Sequence, residues 1–207
     1  MTPVRPYRGV EAADRLALRR TQLLTAGFDL LGTEGAEGAD LTVRAVCGQA
    51  GLAARYFYES FTDKNHFVAA VYDWVIADIA ASTQAAVAAV PVAEQTRAAM
   101  ANVVHTIAED PRVGRLLFST ELSNEVLARK RVESTAFFAL LLGRHAGDTL
   151  QLQDNDYIRA TAHFAVGGVA QTISAWLAGT VRFTPEQLID QLRSILDTLA
   201  ELPTRRK

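Results

Sequence analysis

A chain of 207 residues that is 49% hydrophobic and 21% charged has material for one large domain or two modest ones, and its net charge of -2 gives no bulk attraction to nucleic acid. The single cysteine, Cys47, cannot close an internal disulfide, and no stretch combines a charged start, an apolar run and a small-residue cleavage site; a reducing cytoplasm is the expected location. The longest uncharged segment, Ala160 to Val181, carries His163, Gln171 and many Ala, Gly, Ser and Thr residues, which suit lipid poorly, so no membrane partner is expected.

Every clear periodicity is helical, and Gly35, Gly38, Gly51, Pro91, Pro111, Gly147 and Pro185 divide the chain into about nine helical segments, an all-α protein. Between Arg15 and Thr33, the spacing of Leu24, Phe28 and Leu31 gives a first amphipathic helix. The acids and bases of residues 1–67 cancel, but most of the bases precede Gln22. Thr42 caps a short second helix whose apolar stripe, Val43, Val46, Cys47 and Ala50, takes in the lone cysteine; packing is its simplest role. Gly51 suits the left-handed conformation that ends a helix, and Leu52 can fold back on the stripe. A third helix spans about Ala53 to Glu59. On it Phe57 and Phe61 reach the core, leaving Ala54, Arg55, Tyr56 and Tyr58 outside. Two short helices joined by a Gly-containing turn and supported by a preceding helix make a helix-turn-helix.

The order T-x-x-x-V-C-x-x-A-G-L-x-x-x-x-F-Y-x-x-F-x-x-K, from Thr42 to Lys64, resembles the DNA-binding domain of the TetR family of bacterial transcriptional regulators. The resemblance implies that residues 1–63 form an N-terminal arm and DNA-binding domain, and residues 64–207 a helical effector-binding and dimerisation domain. It further implies that Thr42, Tyr58 and Lys64 hold DNA phosphates while Arg55 and Tyr56 read base edges, with the outward Ala54 also in the DNA-binding set. Hydroxyls, Lys and helix N-termini fix register on a duplex, and Arg in the major groove reads guanine. Ala53 departs from the Ser or Thr usual at that helix start, Ala45 from a capping-box Glu, and Arg55 with Tyr56 from a smaller pair.

From Asp63, a cap, a nearly uncharged helix runs toward Val90 and must be covered on most sides. Val92 to Glu109 forms the next, and Asp110-Pro111 opens a short one through Phe118. Glu121 to Ala146 holds one or two more, with Phe137, Phe138, Leu141 and Leu142 facing inward and Arg129, Lys130 and Arg131 solvated. Asp154 to Ala178 is apolar nearly all round. Thr184-Pro185-Glu186-Gln187 is a capping box with proline at the first helical position. One face of this last pair serves the chain's own core and the other needs a partner, so Val169, Ile173, Trp176, Leu188, Leu192 and Ile195 are candidates for a homodimer interface.

By the same resemblance a small, largely apolar effector would sit between the later helices. Trp74, Met100, Val104, His105 and Phe118 are candidate lining residues, together with Glu121, Phe138, Phe164 and Gln171; for each, a place in the core is the simpler reading. The four histidines show no metal-site spacing and no G-x-S-x-G occurs. Neither enzyme activity, nor a metal, nor a cofactor is expected. The expected function is a repressor released from its DNA operator by the effector. The alternative is a helical adaptor or small-molecule carrier that keeps the fold without operator binding.

Overall fold

The computed structural model describes residues 7–33, 41–119, 122, 125–150 and 155–201. Among them lie nine helices and no strand: α1 (Tyr7–Gly32), α2 (Val43–Ala50), α3 (Ala54–Ser60), α4 (Lys64–Ala88), α5 (Val92–Glu109), α6 (Pro111–Phe118), α7 (Glu125–Leu150), α8 (Asp156–Leu177) and α9 (Pro185–Ala200). The helix starts follow side-chain chemistry. Thr42, Asp63, Asp110 and Asn155 each accept a backbone N–H from the first turn they cap. At α9 the Thr184 hydroxyl and the Gln187 amide exchange bonds in a full capping box, satisfying two orphan donors reciprocally.

Helix α1 begins earlier than its periodicity suggests, at Tyr7 rather than near Arg15, and α7 is one helix where one or two were expected. The nearly uncharged α4 is covered as its composition requires, by α1, α5, α6 and α7. Phe67, Val68, Val71, Tyr72, Val75 and Ile79 are all buried along it. A single buried cluster therefore runs from Leu23 and Leu31 in α1 through α4 to Leu188 and Leu192 in α9.

Helices α7 and α8 pack as an antiparallel hairpin, because the first part of α7 and the last residue of α8 both meet α6. Arg131 donates to the Leu116 carbonyl at 3.0 Å, and Leu177 lies against Gly114. Arg131 is therefore not a solvated cation: it is half-buried, bonds also to the Leu122 carbonyl, and burial pulls its pKa down. Lys130 was likewise misjudged from sequence. It pairs with Asp73 and Glu133, both at 2.9 Å, and stitches α7 to α4. Phe137 does not mark an inner face either; it is exposed, as are Val132 and Leu140, while Phe138, Leu141 and Leu142 are half-buried.

Candidate nucleic-acid interface and an adjoining cleft

The α2–α3 turn is built by its glycine. Gly51 sits at φ 65°, ψ 29°, a region a side chain enters only at a steric cost. Its N–H reaches the Gly48 carbonyl while the Leu52 N–H reaches the Cys47 carbonyl at 2.9 Å. This pair of bonds closes a helix by the Schellman arrangement and turns Leu52 back toward the apolar stripe. Cys47 is buried on that stripe, and burial pushes its thiol pKa up, the opposite of what a reactive thiolate needs.

Helix α3 is held by aromatic packing rather than by its cap, for Ala53 supplies no side-chain bond. Phe57 and Phe61 are buried with ring centroids 5.4 Å apart, and both meet Phe67 of α4, at 5.1 and 4.9 Å. From underneath, α1 grips α3 with two consecutive arginines. Arg20 donates to the Ser60 carbonyl at 3.2 Å and covers the Phe61 ring, while Arg19 pairs with Glu59 at 3.3 Å and lies 4.3 Å from the Tyr56 centroid. Sequence reading missed this role for Arg19 and Arg20; the crowding of bases ahead of Gln22 was the signal.

What remains outside is Ala54, Arg55 and Tyr58, with Tyr58 62% exposed and its ring edge-on to Phe57. Tyr56 is half-buried instead of free. Its ring lies between Arg19 and Arg55, and Arg55 donates to its hydroxyl at 2.6 Å. That hydrogen bond, with the adjacent positive charge, holds the Tyr56 phenol below its ordinary pKa. Arg55 and Tyr56 thus form one unit. Thr42 is exposed but its hydroxyl already accepts the Ala45 N–H at 3.1 Å, and it retains its own proton to donate. Lys64 opens α4 just after Asp63, whose carboxylate takes the His66 N–H at 2.8 Å and the Thr62 hydroxyl at 3.1 Å; those bonds hold the Asp63 carboxyl below its usual pKa.

Nine residues were expected to line an effector pocket, and the eight that are described do not converge on one cavity. Val104 is fully buried in the core, and Met100, Phe118 and Phe138 are partly buried against it. His105 is exposed 4.0 Å from Glu186, Gln171 is exposed, and Glu121 lies outside the described residues. Phe164 is 68% exposed and so cannot line an internal cavity of this protomer. Trp74 borders a cleft of about 270 Å³ at the junction of α1, α4, α5 and α6, which the other described residues of that set do not line. Its apolar wall includes Phe28, Val75, Ile79 and Val113; its polar groups are Thr106, Asp78, Glu109 and Asp110. Beside it Arg112 stacks on Phe28 and bridges Asp110 to Asp29 of α1. A second, more open groove of about 250 Å³ lies between α1 and α2, lined by Thr21, Gln22, Asp29 and Gln49 among others.

The interface candidates on the last two helices are also redistributed. Ile173, Leu188 and Leu192 are buried within the protomer, which leaves them no surface for a partner, and Val169 and Trp176 are partly buried against the same core. The Trp176 indole donates to the Phe183 carbonyl. Only Ile195 is exposed, amid a mostly polar outer face of α9. On α7 and α8 the exposed apolar side chains include Val132, Phe137, Leu140, Tyr157 and Phe164; others, among them Leu16, Leu18 and Phe183, lie elsewhere. Among the described residues no group of three or more metal-ligating side chains forms, and no helix is long and apolar enough to cross a membrane.

No family model matches the sequence and none of the curated proteins matches it. Solved structures do match. The fatty acid degradation regulator FadR from Bacillus halodurans is 17% identical, with a TM-score of 0.68 over 89% of this chain and 96% of that one. The transcriptional regulator FadR from Bacillus subtilis, solved in complex with stearoyl-CoA, is 16% identical with a TM-score of 0.65 over 87% and 97%. A TetR family transcription regulator from Marinobacter aquaeolei is 16% identical with a TM-score of 0.58 over 90% and 97%. The chain has the fold of these regulators.

Proposed function

From a chain with the TetR-type fold, we propose a homodimeric transcriptional regulator that binds a two-fold DNA operator through α2 and α3 and is released from it by a small, largely apolar effector. On this reading residues 1–63 are the DNA-binding part and residues 64–207 carry effector binding and dimerisation, in a bacterial cytoplasm. The observation that carries it is the outward face of α3. Arg55 and Tyr58 project from a helix clamped by Phe57 and Phe61 within, and by Arg19 and Arg20 from α1. A reading helix must be rigid and must expose groups that suit phosphates and base edges. The neutral charge balance does not oppose this, because affinity depends on local placement of cations.

Selection from a random duplex library, followed by footprinting, tests the reading. The enriched sites should be pseudo-palindromes with half-sites about 10 base pairs, or a multiple of that, between centres. Enrichment of no sequence over scrambled duplex at physiological salt would defeat it and leave the adaptor or carrier.

A further inference from the structure

The cleft between α1, α4, α5 and α6 differs from an all-apolar pocket in the sign of its charge. Asp78 and Glu109 line it, and neither has a hydrogen-bond or ion-pair partner among the described residues. The third acid, Asp110, is neutralised by Arg112, which donates to it through both Nε and Nη2. Glu109 is moreover the last residue of α5, where the helix carbonyls add partial negative charge. The opposing start of α6 offers no compensating donor, since the Asp110 carboxylate takes the Arg112 N–H and Pro111 has none. The same cleft carries aromatic surface: Trp74, one turn before Asp78 on α4, is edge-on to Phe28 at 6.2 Å.

On the effector reading above, we propose that this cleft is a site for a small organic cation with a flat apolar body, such as an aryl-alkyl amine. The ring lies against the half-buried Trp74 and the part of Phe28 that Arg112 leaves uncovered, and the indole face also favours a neighbouring cation. The ammonium is drawn to Asp78 and Glu109, and Thr106 offers a hydroxyl on the same wall. A metal ion alone does not use the apolar wall and lacks a third free carboxylate. A carboxylate ligand is repelled by the two acids already there. At about 270 Å³ the space admits one ring and a short chain, at the small end of ligand pockets.

The position also suits control of DNA binding. Phe28 belongs to α1, the helix whose Arg19 and Arg20 grip α3, whereas Trp74, Thr106 and Asp110 belong to the helices beyond it. An occupant therefore touches both parts at once. It lies beside the Arg112 bridge to Asp29 that holds α1 against α6.

Calorimetric titration of the full chain with phenylbutylamine, phenylbutanol and phenylbutyrate, matched in body and differing in charge, tests the site without DNA. The amine should bind about tenfold more tightly than the alcohol, equivalent to about 1.4 kcal/mol, and the carboxylate more weakly than either. Replacing both Asp78→Asn and Glu109→Gln, exposed positions that cost the core nothing, should bring the amine to the alcohol's affinity and leave the alcohol unchanged. Glu94→Gln, which removes an equal charge near the far end of α5, should leave the tenfold preference intact. Equal affinity for amine and alcohol, or a preference that survives the double substitution, overturns the proposal. If the preference appears as expected but no DNA sequence is selected, the regulator reading fails and the cleft stands; the reverse result removes the cleft alone.

Discussion

Arg55 lies along its own helix, its guanidinium 4.6 Å from the Tyr56 centroid and bonded to the Tyr56 hydroxyl. That bond uses one of the five guanidinium N–H donors, so the others remain to read a guanine edge while Tyr56 holds the group in place. A bidentate Arg–guanine pair discriminates by about 1–3 kcal/mol. Arg55→Ala should accordingly lose about that much at the selected operator and little on scrambled duplex. Tyr58→Phe and Lys64→Ala should weaken both alike, and Lys64→Ala should also flatten the salt dependence by about one counterion. Binding titrations on both duplexes at two salt concentrations check it; a change of sequence preference in Tyr58→Phe or Lys64→Ala would reverse the roles. The exposure of Arg55 and Tyr58 and the burial of Phe57 and Phe61 were readable from spacing alone. The half-burial of Tyr56 was not, because it depends on Arg19, an element away in the chain.

At the scale of elements, side-chain-capped helix starts were legible, whereas what covers the faces of the later helices was not. Thr42, Asp63, Asp110 with Pro111, and the Thr184–Gln187 box all stand where local chemistry puts a helix start. Gly51 ends α2 for an equally local reason. A stripe of apolar residues, by contrast, says that something covers it without saying what. Leu188 and Leu192 are covered by their own protomer, whereas Phe164 and Phe137 are left open. The α1–α6 contact is a tertiary feature that only the structure reveals. A Cβ on Gly32 would run into the Arg112 side chain, so α1 can approach α6 closely only as glycine there.

The Arg112 bridge at this contact has a pH signature. Arg112's hydrogen bonds, first among the causes, hold the Asp110 carboxyl below its ordinary pKa. A depressed folded-state pKa contributes stability that is complete above the unfolded value, near 3.9, and is lost as pH falls through the folded one. Asn can still cap α6, so Asp110→Asn isolates the charge. At neutral pH the variant should be about 0.5–1 kcal/mol less stable, a figure kept small because the pair is partly solvated. The difference should vanish in strong acid. Urea unfolding across pH 2–7 measures it, and a constant offset between the two proteins at every pH would assign Asp110 a purely steric role.

For the whole molecule, the proposed two-fold operator requires two copies of α3 held about 34 Å apart, the separation of successive major grooves on one face of a duplex. The fold class and the helix-turn-helix were legible in the sequence, but the partner surface was assigned to α8 and α9 because both look apolar on paper. Burial of Ile173, Leu188 and Leu192 within the protomer moves the uncovered apolar area to α7 and α8, where Phe164 is 68% and Leu140 is 52% exposed. Among the described residues nothing outside the helix's own backbone lies within 4 Å of where a Cβ on Gly167 or Gly168 of α8 would stand, so a partner helix can approach closely there. In a two-fold interface each side chain acts twice. Burying one Phe contributes about 1.5–3 kcal/mol, so Phe164→Glu should cost twice that and raise the dimer dissociation constant by about two to four orders of magnitude. Sedimentation at micromolar concentration should then show a folded monomer with unchanged helical content, whose operator affinity falls to that of a single half-site. Leu192→Glu should behave differently and unfold the protomer, because its side chain is 2% exposed in the core. A Phe164→Glu protein that remains a dimer with full operator affinity would place the two-fold axis on another face.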